Sequence, residues 1–163
     1  MWQTICRGAI AGGVLLLTVQ PVSAAEPDPA QVEKTVQAYI GKANQEAAQN
    51  RESVEESQVV TADLNGDGRA EIILWSTRYG GTYSFNDVTI FTDSGRGYQV
   101  AAGTEDALGM VESIEVKNGL IHIHALWPGP NDPRCCPTVK KIAVYQWQGK
   151  ALADVTSRVS GKK

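Results

Sequence analysis

The run from Asp63 to Glu71, DLNGDGRAE, places oxygen-bearing side chains at alternate positions around two glycines. Ca²⁺ binds six to eight oxygens from carboxylates, amide carbonyls and backbone carbonyls. Asp63, Asn65 and Asp67 occupy the first, third and fifth positions of such a loop, and Glu71 occupies the ninth. Arg69, at the seventh position, offers its backbone carbonyl. The spacing predicts a site with these five ligands, and Ca²⁺ is favoured over Mg²⁺ because the ligands are flexible and all oxygen.

The first part of the run matches an EF-hand loop, but two features argue against that motif. The twelfth position is Leu74, where an EF-hand carries a bidentate Glu. The residues that follow the loop, AEIILWS, predict a strand, whereas an EF-hand loop is followed by a helix. The loop therefore belongs to a different structural context.

The pattern resembles the D-x-N-x-D-G-x-x-E loops of FG-GAP and integrin-α proteins, in which a calcium loop joins two β-strands. The resemblance runs from Val59 to Ile73. It implies a metal loop here, with Glu71 standing where the family usually has Asp. Those loops normally recur to form a propeller, and this chain has one copy, so no propeller is expected.

The alternative is an ordinary turn, because Asn65-Gly66 and Asp67-Gly68 are both turn-forming pairs. A plain turn does not require the carboxylates of Asp63, Asp67 and Glu71, which repel one another without a cation. We therefore favour a metal loop, with a structural role because no nucleophile or base lies nearby in sequence. No catalytic residue is predicted, and the protein is not expected to be an enzyme.

Residues 1–25 predict a secretory signal peptide. Arg7 supplies a positive start, residues 9–19 are apolar, and small residues precede a cleavage point near Ala24 or Ala25. The apolar stretch is too short to span a bilayer. No cysteine lies at the cleavage point to carry a lipid, so we expect a periplasmic or secreted protein.

The mature chain starts near Glu26 and carries 18 acidic residues against 14 Lys and Arg once Arg7 is removed from the total of 15. It shows no basic stripe, so nucleic acid is not an expected partner. It also has no amphipathic basic helix, so stable membrane insertion is not expected. We expect a monomer.

Cysteine usage is restricted after cleavage, because only the neighbours Cys135 and Cys136 remain. In an oxidising compartment the only intramolecular disulfide available to them is a vicinal one, which shapes its own loop. The alternative is a zinc or copper site that combines these thiolates with His122 and His124, which project from one face of a strand.

The chain as a whole resembles small, uncharacterised exported bacterial proteins that combine a D-x-N-G-D-G loop with a late D-P-x-C-C-P motif, here NDPRCCPT. The resemblance runs from about Val59 to Tyr145. It implies export and a common fold, and it brings no established activity.

Two further turns are candidates for contact with a partner. The loop from Arg78 to Tyr83 carries two tyrosines and suits protein or glycan contact, or is an ordinary strand connection. The turn from Ser94 to Tyr98 weakly resembles the Ser-Gly-x-x-Tyr element of periplasmic lysozyme inhibitors.

The predicted fold class is α+β, with one domain over residues 26–155 and a flexible tail over 156–163. Asp28-Pro29 begins an amphipathic helix of roughly five turns. The helix packs on an antiparallel β-meander of about seven or eight strands, because turn residues such as Lys117-Asn118-Gly119 join successive strands. Expected strands cover 58–62, 70–77, 86–92, 98–102, 110–116, 120–127 and 139–147, with a short one near Leu152.

These features predict an exported calcium-binding protein that acts as a non-catalytic binding module for an unknown protein or glycan partner. One alternative is a periplasmic inhibitor of a secreted hydrolase, similar to a lysozyme inhibitor. A second alternative is the zinc- or copper-binding protein with His122, His124, Cys135 and Cys136 as ligands.

Overall fold

The computed structural model describes residues 24–104, 108–133 and 135–161. Residues 1–23 of the predicted signal peptide lie outside the described residues. The described chain begins with a helix and continues as eight strands and a second, short helix. In chain order these are α1 Pro29–Ala47, a 3-10 turn Ala48–Asn50, β1 Ser53–Ala62, β2 Glu71–Tyr79, β3 Ser84–Asp93, β4 Tyr98–Gly103, β5 Met110–Lys117, β6 Leu120–Trp127, β7 Val139–Trp147, β8 Leu152–Asp154 and α2 Thr156–Ser160.

Helix α1 begins where the sequence predicts it to begin. The Asp28 side chain accepts a hydrogen bond from the Ala30 N–H at 3.1 Å, and Pro29 is the first helical residue. Near the other end, the Asn44 amide bonds both the N–H and the carbonyl of Val54, at 2.8 and 2.7 Å. The helix is therefore fixed to the start of β1.

The strands form two antiparallel sheets, each with its strands in chain order. The first sheet contains β1 to β4, and the second contains β5 to β8. The α+β class with mainly antiparallel pairing is confirmed. The single meander predicted from the sequence is instead divided between β4 and β5, because two stacked sheets bury the apolar faces of both.

The first sheet is the middle of three layers. On one face, Ile73 and Ile90 pack with Ile121 and Ile123 of the second sheet in the larger core. On the opposite face, Ile72, Leu74 and Phe91 pack against Val36 and neighbouring residues of α1. Burial on both faces explains the continuous apolar run at the start of β2.

A side-chain amide joins the two sheets at their neighbouring edges. The register of β1 against β2 shifts between Glu56 and Gln58. At this irregularity the Gln58 side chain accepts the Ile114 N–H at 2.9 Å and donates to the Ile114 carbonyl at 3.0 Å. Gln58 thereby satisfies backbone groups of β5 that lack a neighbouring strand.

The described part of the segment predicted as a flexible tail, residues 156–161, carries the second helix. Helix α2 occupies Thr156–Ser160 and packs on β7. Val155 is buried, and the Thr156 hydroxyl accepts the Val144 N–H at 2.9 Å. The flexibility of the tail stays a prediction from sequence.

Neither of the helices in the described ranges combines the length and the apolar character needed to cross a membrane.

Candidate functional site

The DLNGDGRAE run forms the loop between β1 and β2. Ala62 at the end of β1 pairs with Glu71 at the start of β2, so residues 63–70 close a hairpin. Gly66 and Gly68 have φ values of +77° and +82°. Glycine adopts this left-handed conformation without steric strain, so the two glycines allow the loop to turn sharply.

Asp63 is the centre of hydrogen bonding in the loop. Its Oδ1 accepts the N–H groups of Gly66 and Asn65 at 2.6 and 3.2 Å, and its Oδ2 accepts the Gly68 N–H at 2.9 Å. These bonds, led by the one from Gly68, lower the pKa of Asp63. The first position of the loop therefore carries a negative charge at neutral pH.

Asn65 and Asp67 continue the same pattern. The Asn65 Oδ1 accepts the Asp67 N–H at 2.8 Å, and the Asp67 Oδ1 accepts the Arg69 N–H at 2.9 Å. The Arg69 guanidinium also lies 3.1 Å from the Asp67 Oδ2. The backbone and side-chain bonds from Arg69 lower the pKa of Asp67, so the fifth position is also charged at neutral pH.

Glu71 is the buried carboxyl group behind the loop, with 2 % of its surface exposed. Its Oε2 accepts the Leu64 N–H at 2.9 Å, and its Oε1 lies 3.2 Å from the Asn65 Nδ2 and 3.3 Å from the Thr92 hydroxyl. Burial raises the pKa of Glu71, and the charges of the two loop aspartates raise it further. Among the three loop carboxyl groups, Glu71 is therefore the one whose surroundings disfavour the ionised form, because the pKa values of Asp63 and Asp67 are lowered.

The predicted ligands share one loop, and all of them offer oxygen. In this arrangement the carboxylates turn toward N–H groups of the loop itself. No group of three or more His, Cys, Asp or Glu side chains in the described part of the chain is arranged to hold a metal ion. An ionised carboxylate has about four acceptor sites, so Asp63 retains capacity for a cation beyond its three backbone bonds. The oxygen donors of the loop suit Ca²⁺. To bind the ion together, the carboxylates would have to rotate away from the N–H groups that they now accept.

The segment before α1 lies against the loop, a contact that the sequence did not predict. The Ala25 N–H donates to the Gly68 carbonyl at 2.8 Å, and the Ala25 carbonyl accepts the Ala70 N–H at 3.2 Å. The Thr61 hydroxyl donates to the Glu26 carboxylate at 2.7 Å. The residues at the predicted cleavage point therefore lie on one side of the candidate metal loop.

No family model, curated protein or solved structure matches this chain. The resemblance of the loop to FG-GAP and integrin-α loops stays a prediction from sequence, as does the resemblance to small exported proteins with the D-P-x-C-C-P motif.

Three of the four residues of the alternative zinc or copper site have other side-chain partners. Cys135 and Cys136 are joined in a vicinal disulfide, which leaves no thiolate for a metal. His124 Nε2 lies 2.9 Å from the Glu115 carboxylate. His122 lies opposite Glu115 in the backbone register of β5 and β6. The two histidines project away from the core that the neighbouring isoleucines of β6 enter.

The turn from Ser94 to Tyr98 is closed by the side chain of Asp93, the residue before it. The Asp93 Oδ1 accepts the N–H groups of the two turn glycines at 2.9 and 3.1 Å. The Tyr98 hydroxyl donates to the Ala70 carbonyl at 2.9 Å. The tyrosine of the lysozyme-inhibitor-like element therefore braces the loop end of β2.

A groove of about 920 Å³ lies where the β2–β3 turn approaches the β6–β7 connection. We call it the aromatic groove. Its wall brings together two segments that are far apart in the sequence. One is the loop from Arg78 to Tyr83, which we call the tyrosine loop, and the other is the β6–β7 connection that contains Cys135 and Cys136, which we call the CCP loop. The residues that define the aromatic groove are Tyr79, Tyr83, Phe85, Met110, Trp127 and Cys135.

The CCP loop keeps its shape through one carboxylate. The Asp132 Oδ2 accepts the N–H groups of Gly129 and Thr138, both at 2.7 Å, and the Thr138 hydroxyl also contacts it. These backbone bonds lower the pKa of Asp132. Sequence reasoning identified the loop from Arg78 to Tyr83 as a contact candidate but missed Phe85, Met110 and Trp127, because single apolar residues at strand ends carry no distinctive signal.

Proposed function

We propose that the protein is an exported, calcium-binding, non-catalytic module that holds a protein or glycan partner. The observation that supports calcium binding is the placement of the buried Glu71 carboxyl behind the charged Asp63 and Asp67. Their mutual repulsion, together with the burial of one of them, favours a cation that neutralises all three. Flexible oxygen donors of this kind suit Ca²⁺.

In this proposal Asp63, Asn65, Asp67 and Glu71 supply side-chain oxygens, and Arg69 supplies its backbone carbonyl. The cation braces the β1–β2 hairpin. Its role is structural, and it rigidifies one end of the first sheet.

The proposal is tested by the melting temperature of the mature protein in excess EDTA and in millimolar calcium. A ligand at about a hundred times its dissociation constant stabilises the folded state by about 2.7 kcal/mol. We expect calcium to raise the melting temperature and Asp63→Ala to abolish that rise.

Asp93→Ala is a matched control, because Asp93 also closes a glycine turn by accepting two backbone N–H groups. This variant should lower the melting temperature in both buffers and keep the calcium-dependent rise. If calcium and EDTA give the same melting temperature for the wild-type protein, the loop is an ordinary turn and the calcium proposal fails.

The position of Tyr79 and Tyr83 at the aromatic groove favours a contact function over a purely structural one. The hydrolase-inhibitor alternative uses this same surface or the Ser94–Tyr98 turn. It predicts a tight complex with a secreted hydrolase that persists in EDTA. A pull-down with an immobilised lysozyme in both buffers separates it from a module that depends on calcium.

A further inference from the structure

We propose that the aromatic groove is a binding site for an uncharged oligosaccharide. The inference deepens the proposed function as a binding module and rests on it. It does not depend on the calcium loop, which lies at a different hairpin, between β1 and β2.

The groove has the size and the exposed apolar surface of a ligand site. Its volume of about 920 Å³ lies within the range of roughly 300–1,000 Å³ typical of such sites. Seven large hydrophobic residues of the described chain are exposed, and four of them line this groove. Exposed apolar residues concentrated in one place indicate contact with a ligand, whereas scattered ones need no explanation.

The aromatic rings are held in position before any ligand arrives. Tyr83 and Phe85 lie with their ring centroids 5.1 Å apart at an interplanar angle of 45°. The Tyr83 hydroxyl donates to the Glu52 carboxylate, which also pairs with Arg78 at 3.3 Å. A ring fixed in this way loses little freedom on binding, which favours affinity.

The charge of the described lining favours an uncharged ligand. None of the described residues that line the groove is Asp, Glu, Lys or Arg. Two charged groups beside it already have partners, because Glu52 is paired with Arg78 and the Lys141 Nζ lies 5.6 Å from the centroid of the Trp127 ring. A charged ligand would lose its hydration against this lining and would have to compete for those charges. Nucleotides and nucleic acids are disfavoured for the same reason, because their phosphates require cationic partners.

The polar groups of the groove favour a saccharide over a purely apolar molecule. The hydroxyls of Tyr79, Thr82 and Ser84 have no hydrogen-bond partner among the residues that the structure describes. A saccharide ring offers an apolar C–H face to the aromatic rings and hydroxyls to these groups, whereas a hydrocarbon would leave them unpaired.

The experiment titrates the mature protein with β-1,4-linked hexasaccharides of glucose and of N-acetylglucosamine in millimolar calcium, by calorimetry and tryptophan fluorescence. We expect saturable binding of at least one of them. Phe85→Ala and Tyr79→Ala should each weaken it by about tenfold, because each removes a ring face that the ligand covers. Ile142→Ala, which removes a side chain of similar exposure on the outer face of the second sheet, should leave it unchanged.

Each ring variant is accepted only if its melting temperature matches that of the wild-type protein, which the half-exposed position of both rings leads us to expect. Absence of binding to both hexasaccharides overturns the inference, as does binding that survives both ring substitutions. Binding of a proline-rich peptide in place of the saccharides also overturns it. If the wild-type protein binds neither hexasaccharide but calcium raises its melting temperature, this inference alone is refuted. If it binds a hexasaccharide but calcium does not change its melting temperature, the calcium proposal alone is refuted.

Discussion

At the scale of single residues, Asp63 and Asp93 serve the same local purpose in different surroundings. Each accepts N–H groups from turn glycines, as an aspartate in a tight turn commonly does. Asp63 differs because Asp67 shares its loop and the buried Glu71 lies behind it. The turn alone therefore explains the aspartate, and the calcium proposal rests on the two additional carboxylates.

The state of the two cysteines is a residue-scale prediction. Because Cys135 and Cys136 are bonded to each other, the mature protein should not react with iodoacetamide under denaturing conditions unless it is first reduced. After reduction it should gain two labels per chain, as measured by intact mass. Two labels without reduction would reopen the zinc or copper alternative.

A second residue-scale prediction concerns acid stability. Hydrogen bonds from Lys117 and His124 lower the pKa of Glu115 from 4.5 to about 2. A carboxyl group with a lowered pKa stabilises the folded state above the unfolded pKa and loses that contribution as the pH falls. We expect Glu115→Gln to be less stable than the wild-type protein at neutral pH, with the difference vanishing between pH 4.5 and about 2.

The measurement is chemical denaturation of both proteins across that pH range. Glu112→Gln changes an exposed residue of the same strand and should show no such convergence. A stability difference between wild type and Glu115→Gln that persists to pH 2 would contradict the assignment.

At the scale of elements, local sequence signals located most of the structure. The Asp28 cap and the Pro29 start define α1, and the predicted limits of β6 and β7 coincide with the observed ones. The main difference is β1, which begins at Ser53, whereas the sequence predicted Gln58. Apart from the buried Val54, the residues between them are polar and exposed, so one apolar position gives no alternating pattern that would predict a strand.

The link between the two sheets gives an element-scale prediction. Gln58→Ala removes two hydrogen bonds to the Ile114 backbone and should lower the free energy of unfolding by about 1–2 kcal/mol. Urea denaturation measures this loss. Gln99→Ala, at an exposed position of β4, is the control and should change the stability by less than about 0.5 kcal/mol. Equal effects of the two substitutions would show that the link contributes little.

At the scale of the whole molecule, the defining feature is a middle sheet covered on both faces. Helix α1 covers one face and the second sheet covers the other. A two-layer meander, as predicted from the sequence, would bury only alternate residues of each strand. In the three-layer arrangement, consecutive residues of a middle strand are both buried, so substitutions at either of them should lower the free energy of unfolding.

Ile72 and Ile73 test this arrangement, because they are adjacent, fully buried and directed into different cores. Ile72→Ala and Ile73→Ala should each lower the free energy of unfolding by about 2–5 kcal/mol. Val100→Ala, at a position that is 57 % exposed, should cost less than about 0.5 kcal/mol. If one isoleucine variant behaved like Val100→Ala in denaturation, the first sheet would have a solvent-facing side.

The sequence by itself determined the features that depend on neighbouring residues. Helix capping at Asp28, left-handed turns at Gly66 and Gly68, and alternation along strands act over a few residues, so they are readable without a structure. The acidic loop was recognisable for the same reason, because its ligands lie within nine consecutive positions.

Only the tertiary structure decided what depends on packing between distant segments. It divided the strands into two sheets, buried Glu71, bonded Ala25 to the acidic loop and placed Tyr83 and Cys135 in the lining of one groove. These outcomes follow from the burial of apolar surface across the whole chain, a non-directional force whose result no local pattern encodes.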